Sequence, residues 1–140
     1  MKALRSVVFA LGLLLVVSAA RAQSSAVSAR VPFDFIVNNH LYAAGDYMLS
    51  PDGMTNPSVL IRNTDDQKAG LVLTQSCEKS KPAEKTVLIF QRYGDQYFLD
   101  QVWTEGSTRG RQFPKSKIET QLAMNHADSE KVIVAALITH

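Results

Sequence analysis

The sequence predicts a mainly β domain: an antiparallel barrel or sandwich of about seven strands, with one helix near the C-terminus. Three observations lead to this fold class. Short runs of alternating apolar and polar residues recur along the chain, turn residues separate them, and a helix start signature occurs only near residue 116. Short strands with short connections are typical of closed or nearly closed barrels and of sandwiches.

Residues 1–22 have the three parts of a cleavable export signal. Lys2 and Arg5 provide a positive start, residues 6–19 form an uncharged apolar run, and Ala22 ends an Ala-x-Ala site. The apolar run is shorter than the roughly 20 residues that span a bilayer. We therefore expect cleavage between Ala22 and Gln23, with no stable membrane anchor afterwards. A lipid anchor would need a cysteine directly after this run, and the single cysteine is Cys77.

Export changes the charge of the chain. The full sequence has 15 Lys and Arg and 13 Asp and Glu, a net charge of +2. The predicted signal holds three basic residues and no acidic ones, so the mature chain has 12 basic and 13 acidic residues, net −1. This balance gives no electrostatic support for nucleic-acid binding. The mature length suits one domain with one core.

The first half of the mature chain predicts a flexible lead-in followed by short strands. Residues 23–29 are small and polar, and the single β-rich domain is expected over residues 30–140. Alternation predicts a strand over residues 31–37, and shorter runs predict strands over 47–50, 58–63 and 69–75. Residues 51–57, 76–84 and 105–113 are expected to be loops, because Gly, Pro and charged residues interrupt them.

Residues 85–104 give the clearest element, a hairpin of two nine-residue strands around Gly94-Asp95. A two-residue turn of this type matches the twist of the strands. It predicts that Phe90 pairs with Leu99, and that Trp103 lies on the same buried face as both. That assignment assumes strict alternation along the second strand.

The C-terminal part predicts the helix and a last strand. Ser116 and Glu119 fit a capping box, so a helix is expected from there to residues 125–128. Residues 131–139 are nearly all apolar and rich in β-branched side chains. They predict a strand that is buried on both faces or central in its sheet.

No motif predicts a catalytic, metal or cofactor site. A nucleophilic Cys77 would need a nearby histidine and a lowered thiol pKa, and the sequence suggests neither. His40, His126 and His140 lack the ligand spacing of zinc or copper sites. Cys77 lies in a polar stretch and is expected to be exposed, either as an incidental thiol or as the link of a dimer.

Two groups of residues are candidates for binding. Arg92, Tyr97 and Trp103 on the hairpin would line a pocket for an apolar ligand if a barrel is open at that end. Residues 106–111 are glycine-rich but lack the lysine of a phosphate-binding loop. They are expected to form a solvated loop, with anion or acidic-partner contact through Arg109 and Arg111 as the alternative.

Three stretches together resemble a family of small exported uncharacterised bacterial proteins. They are residues 31–35 (VPFDF), residues 41–47 (LYAAGDY) and residues 92–99 (RYGDQYFL), the last followed by Trp103 and by the helix start at Ser116. In the family the second motif usually reads Leu-Pro-Ala-Gly-x-Tyr, and Ala43 replaces the proline here. The resemblance implies a signal peptide and a β-rich domain, and it carries over no ligand or catalytic residue.

We therefore expect a protein exported to the periplasm or secreted. Its expected role is non-enzymatic: it binds an apolar small molecule or another envelope protein through the barrel mouth. The alternative is a hydrolase-type enzyme whose site is assembled from scattered residues.

Overall fold

The computed structural model describes residues 26–51, 57–125 and 128–139. These residues form eleven strands and one helix, so the protein is mainly β. The elements are β1 (Ala26–Val31), β2 (Phe35–Val37), β3 (His40–Tyr42), β4 (Gly45–Pro51), β5 (Ser58–Asn63), β6 (Ala69–Leu73), β7 (Gln75–Glu78), β8 (Val87–Tyr93), β9 (Gln96–Trp103), β10 (Arg109–Gln112), α1 (Lys117–Asn125) and β11 (Glu130–Thr139).

All the strands belong to one sheet, so the fold is not a sandwich. The order across the sheet is β3-β2-β9-β8-β11-β1-β4-β5-β6, and β10 pairs with both β9 and β7. The sheet is mixed, because β2 and β9 run parallel where Ile36 lies opposite Phe98. The prediction of a purely antiparallel fold with about seven strands was therefore wrong in both respects.

The sheet curls into a half-barrel with an apolar inner face. Val59 of β5 and Val102 of β9 line one cavity although four strands separate them. In a flat sheet this separation would be about 24 Å, at about 4.8 Å per strand. The two outermost strands also approach each other, since Gly70 of β6 lies against the Tyr42 hydroxyl of β3. The inner core is completed by Phe35, Phe90 and Phe113.

The β8–β9 hairpin is confirmed at its turn. Gly94 has a φ of 61°, and Tyr93 pairs with Gln96, so Gly94-Asp95 is a two-residue turn. The pairing of Phe90 with Leu99 is also confirmed. Beyond that pair the register shifts by one residue, because Asp100 is an extra residue in β9.

The bulge reverses the predicted face of Trp103. Leu99 and Val102 both belong to the inner core, whereas Trp103 packs in a separate cluster with Ala83 and Ile89 on the outer face. The side chain is buried as predicted, with 6% of its surface exposed, but it does not share a face with Phe90.

The first turn of the helix contacts the outer face of the hairpin, where Glu119 hydrogen-bonds to the Tyr93 side chain. One of the two bonds of the predicted capping box is confirmed: Ser116 Oγ accepts a hydrogen bond from the Glu119 amide at 3.1 Å. Among the described residues, Glu119 does not return a bond to the Ser116 amide. Asn39 Oδ1 accepts another from the Lys117 amide at 3.1 Å. These bonds satisfy amide groups of the first helical turn, which have no partner within the helix.

Several other predicted elements need correction. The flexible lead-in does not extend over residues 26–29, because β1 begins at Ala26 and pairs with both β4 and β11. Two predicted loops contain the strands β7 and β10. β11 is central as predicted, but its outer face is open, and Leu137 is 73% exposed. The signal at residues 1–22, the cleavage site and residues 52–56 of the predicted loop lie outside the described residues.

Candidate ligand-binding site

A cavity of about 380 Å³ opens at the end of the half-barrel opposite the Gly94-Asp95 turn. Its apolar lining comes from Val27, Leu49, Val59 and Val102, which lie on β1, β4, β5 and β9. Each of these side chains points to the inner face, because strand residues two apart share a face. The volume lies at the lower end of the usual range for small-molecule pockets, about 300–1,000 Å³.

Two arginines of β10 point toward this cavity. Arg111 lies opposite Val102 in the sheet, and directly opposed residues project to the same face. Gly110 lies opposite Trp103 and therefore faces outward, which places Arg109 and Arg111 together on the inner side. Both arginines line the cavity beside Ser76 and Thr104.

The two arginines differ in their partners. Arg109 Nε lies 3.3 Å from Glu78 Oε1 on the neighbouring strand, in an ion pair whose side chains are 76% and 68% exposed. Arg111 is half-buried, and among residues 26–51, 57–125 and 128–139 no carboxylate comes within ion-pair distance of it. The rim of the cavity therefore carries one arginine charge that the described protein does not neutralise.

The hairpin residues predicted to bind a ligand do not form one site. Arg92 and Tyr97 pair on the inner face near the turn, where the Tyr97 ring stacks on Phe33 with centroids 3.8 Å apart. Arg92 also lies 3.6 Å from Glu130. Trp103 is on the opposite face, and none of the three lines the cavity.

The surroundings of Trp103 explain its burial without a ligand. Its indole Nε1 donates to Gln101 Oε1 at 2.8 Å, and the Lys79 ammonium lies 4.4 Å from the ring centroid. The other side of the ring faces Gly110, where an added methyl group would approach ring carbons to 2.8 Å. The absence of a side chain at Gly110 thus makes room for the indole.

The geometry around Cys77 disfavours nucleophilic chemistry. Cys77 is half-buried against the Trp103 cluster, which corrects the expectation that it is exposed. Burial raises the pKa of its thiol, while the Gly110 backbone opposes this shift. A raised pKa lowers the thiolate fraction, and the thiolate is the reactive form.

The part of the chain that the structure describes contains no group of three or more His, Cys, Asp or Glu residues placed to hold a metal ion. His126 and His140 lie outside the described residues. Nor does any described helix have the length and apolar character needed to span a bilayer.

The sequence around the two arginines predicts a loop, whereas the structure forms a strand there. Residues 109–112 (RGRQ) alternate between two faces when extended, but the glycine-rich surroundings favoured a loop. The strand forms because β7 and β9 supply hydrogen-bonding partners on both sides. Pairing with distant strands is a property of the whole fold and leaves little trace in four residues.

Comparisons with protein-family models, with curated proteins and with solved structures find no match to this chain.

Proposed function

We propose that this protein is an exported, non-enzymatic binding protein that holds an apolar small molecule in the open end of the half-barrel. The observation that carries the proposal is the cavity whose apolar lining comes from Val27, Leu49, Val59 and Val102. Its four apolar side chains belong to the inner core and are themselves 3–8% exposed. A ligand would extend this core outward.

The physical driving force is removal of apolar surface from water. Burial of such surface contributes about 25 cal/mol per Å². A site formed by strands that are already paired also requires little ordering on binding, which reduces the free-energy cost of association. β-barrels of about eight strands can hold one small ligand when side chains do not fill the interior.

The proposal is tested with N-phenyl-1-naphthylamine, a neutral probe that becomes fluorescent in apolar surroundings. We expect saturable enhancement by the wild-type protein and at least a tenfold weaker Kd for Val59→Phe, because the larger ring occupies the cavity. Overpacking of this kind costs about 1–3 kcal/mol, so a thermal melt must show that the variant is folded at the assay temperature.

Leu137→Phe is the matched control. It adds a ring on the exposed outer face of β11, away from the cavity, and we expect it to bind the probe as the wild type does. Failure of the wild type to bind, or equal loss in both variants, would contradict the proposed site.

A further inference from the structure

The cavity has two chemically different ends. Its floor is apolar, while Ser76, Thr104, Arg109 and Arg111 line its polar side. Since β10 alternates, Arg109 and Arg111 face the cavity from one strand. A ligand that satisfies both ends needs an apolar body and a polar group at its end.

The charge at the polar end sets the charge of that group. Arg109 is paired with Glu78, and Arg111 has no carboxylate partner among the described residues. The formal charges of Arg109, Arg111 and Glu78 therefore sum to +1. A ligand group with one negative charge would neutralise this charge, whereas a doubly charged group would also be repelled by the Glu78 carboxylate.

The guanidinium group favours a planar anion. Arginine presents a rigid fork of N–H donors that matches the two oxygens of a carboxylate. A half-buried charge is also costly unless it is paired and hydrogen-bonded. The hydroxyl groups of Ser76 and Thr104 provide neutral hydrogen-bonding groups around the same position.

We infer that the ligand is an apolar chain ending in a single carboxylate, that Arg111 binds this carboxylate, and that the chain lies against Val27, Leu49, Val59 and Val102. This inference rests on the proposed function, and it adds the chemical class of the ligand and the residue that selects it.

The test compares decanoic acid with decan-1-ol, which share the chain and differ in charge, by displacement of N-phenyl-1-naphthylamine at pH 7 and low salt. Hydrogen bonds to charged groups contribute about 1.5–3 kcal/mol. We therefore expect wild-type protein to bind decanoate roughly 10- to 100-fold more tightly than decanol. Decyl phosphate, with its larger charge, is expected to bind no more tightly than decanoate.

Arg111→Gln is the diagnostic variant, and Arg62→Gln is its matched control. Arg62 is exposed on the outer face of β5, since Ile61 and Asn63 on either side of it are buried. We expect Arg111→Gln to bind decanoate and decanol equally, with its affinity for decanol unchanged from wild type. We expect Arg62→Gln to keep the wild-type preference for decanoate. Arg111→Lys keeps the charge but loses the fork, so its preference is expected to be intermediate.

The outcomes separate the two proposals. Equal binding of decanoate and decanol by the wild type would overturn the carboxylate inference and leave the apolar site standing. Tighter binding of decyl phosphate would overturn the single-charge argument, and an unchanged preference in Arg111→Gln would overturn the role of that residue. If neither chain displaces the probe, the ligand class is wrong; if the neutral probe itself fails to bind, the proposed function fails as well.

Discussion

At the scale of single residues, Glu119 is a buried carboxyl group with one oxygen that has no hydrogen-bond partner among the described residues. Only 3% of its surface is exposed, and the oxygen without a partner is Oε1. Burial raises the pKa of Glu119, the nearby Asp100 carboxylate raises it further, and Lys115 and Tyr93 oppose the shift. The protonated form of this side chain is therefore more favourable in the folded protein than in the unfolded chain.

The raised pKa fixes the sign of its contribution to stability. Between the unfolded-state and folded-state pKa values of Glu119, the folded protein binds more protons than the unfolded chain. Its contribution is thus most favourable below the ordinary glutamate pKa, and it is lost as the pH rises through the folded-state value. We expect Glu119→Gln to raise the free energy of unfolding at pH 8 by on the order of 1 kcal/mol.

Urea unfolding at pH 4 and pH 8 measures this effect. The difference between Glu119→Gln and wild type is expected to shrink at pH 4, where the wild-type carboxyl gains its proton. Glu84→Gln, on an exposed side chain, is the control and is expected to change little at either pH. A destabilised Glu119→Gln at pH 8 would show that the ionised carboxylate has a stabilising partner.

At the scale of elements, the β8–β9 hairpin shows where sequence reasoning works and where it stops. Gly94-Asp95 determined the turn and the four pairs nearest to it, because turn chemistry sets the register of a hairpin. One extra residue at Asp100 then moved every later side chain of β9 to the opposite face. Side chains from two other strands stabilise the bulge, since Gln91 of β8 and Gln112 of β10 both donate hydrogen bonds to the Asp100 carboxylate.

Long apolar runs and caps were predictable, and short polar strands were not. β5, α1 and β11 carry their own periodicity or capping residues, and their predicted positions were confirmed. β1, β7 and β10 are small or polar and form because neighbouring strands pair with them. The candidate site depends on β10, so its two arginines were identified from the sequence but the strand that aims them was not.

The packing of Trp103 gives a prediction at this scale. Trp103→Ala is expected to cost about 3–5 kcal/mol of unfolding free energy, the usual range for emptying a large buried aromatic site. Because the indole lies outside the half-barrel, the substitution is expected to leave the affinity for N-phenyl-1-naphthylamine unchanged under conditions where the variant is folded.

Fluorescence of the wild-type protein checks the same assignment, since Trp103 is the single tryptophan of the chain. We expect a blue-shifted emission maximum and weak quenching by iodide. Loss of probe binding in Trp103→Ala without loss of stability would instead place the indole at the binding site.

At the scale of the whole molecule, the first and last described strands lie side by side in the middle of the sheet. β1 pairs with β11 on one side and with β4 on the other, and Ala26 lies opposite Thr139. The inner core therefore depends on a segment that begins only four residues after the predicted cleavage site at Ala22. If the chain is exported as proposed, signal cleavage and folding both constrain this short stretch of sequence.

Cleavage between Ala22 and Gln23 is compatible with both requirements. It removes the apolar run and leaves β1 whole, with residues 23–25 preceding it. A cut a few residues later would remove inner-face side chains such as Val27, which is 8% exposed and lines the cavity. We expect mass spectrometry of the exported protein to show a chain that begins at Gln23, with partial cyclisation to pyroglutamate.

Substitutions at the cleavage site test this prediction. A signal peptidase requires small residues at the first and third positions before the cut and tolerates other residues between them. We expect Ala22→Leu to accumulate uncleaved precursor, and Arg21→Leu, the matched control at the intervening position, to be cleaved normally. Intact Met1 on wild-type protein recovered from the cytoplasm would contradict export. A mature chain that begins beyond Ala26 would show that β1 is not needed in the folded protein.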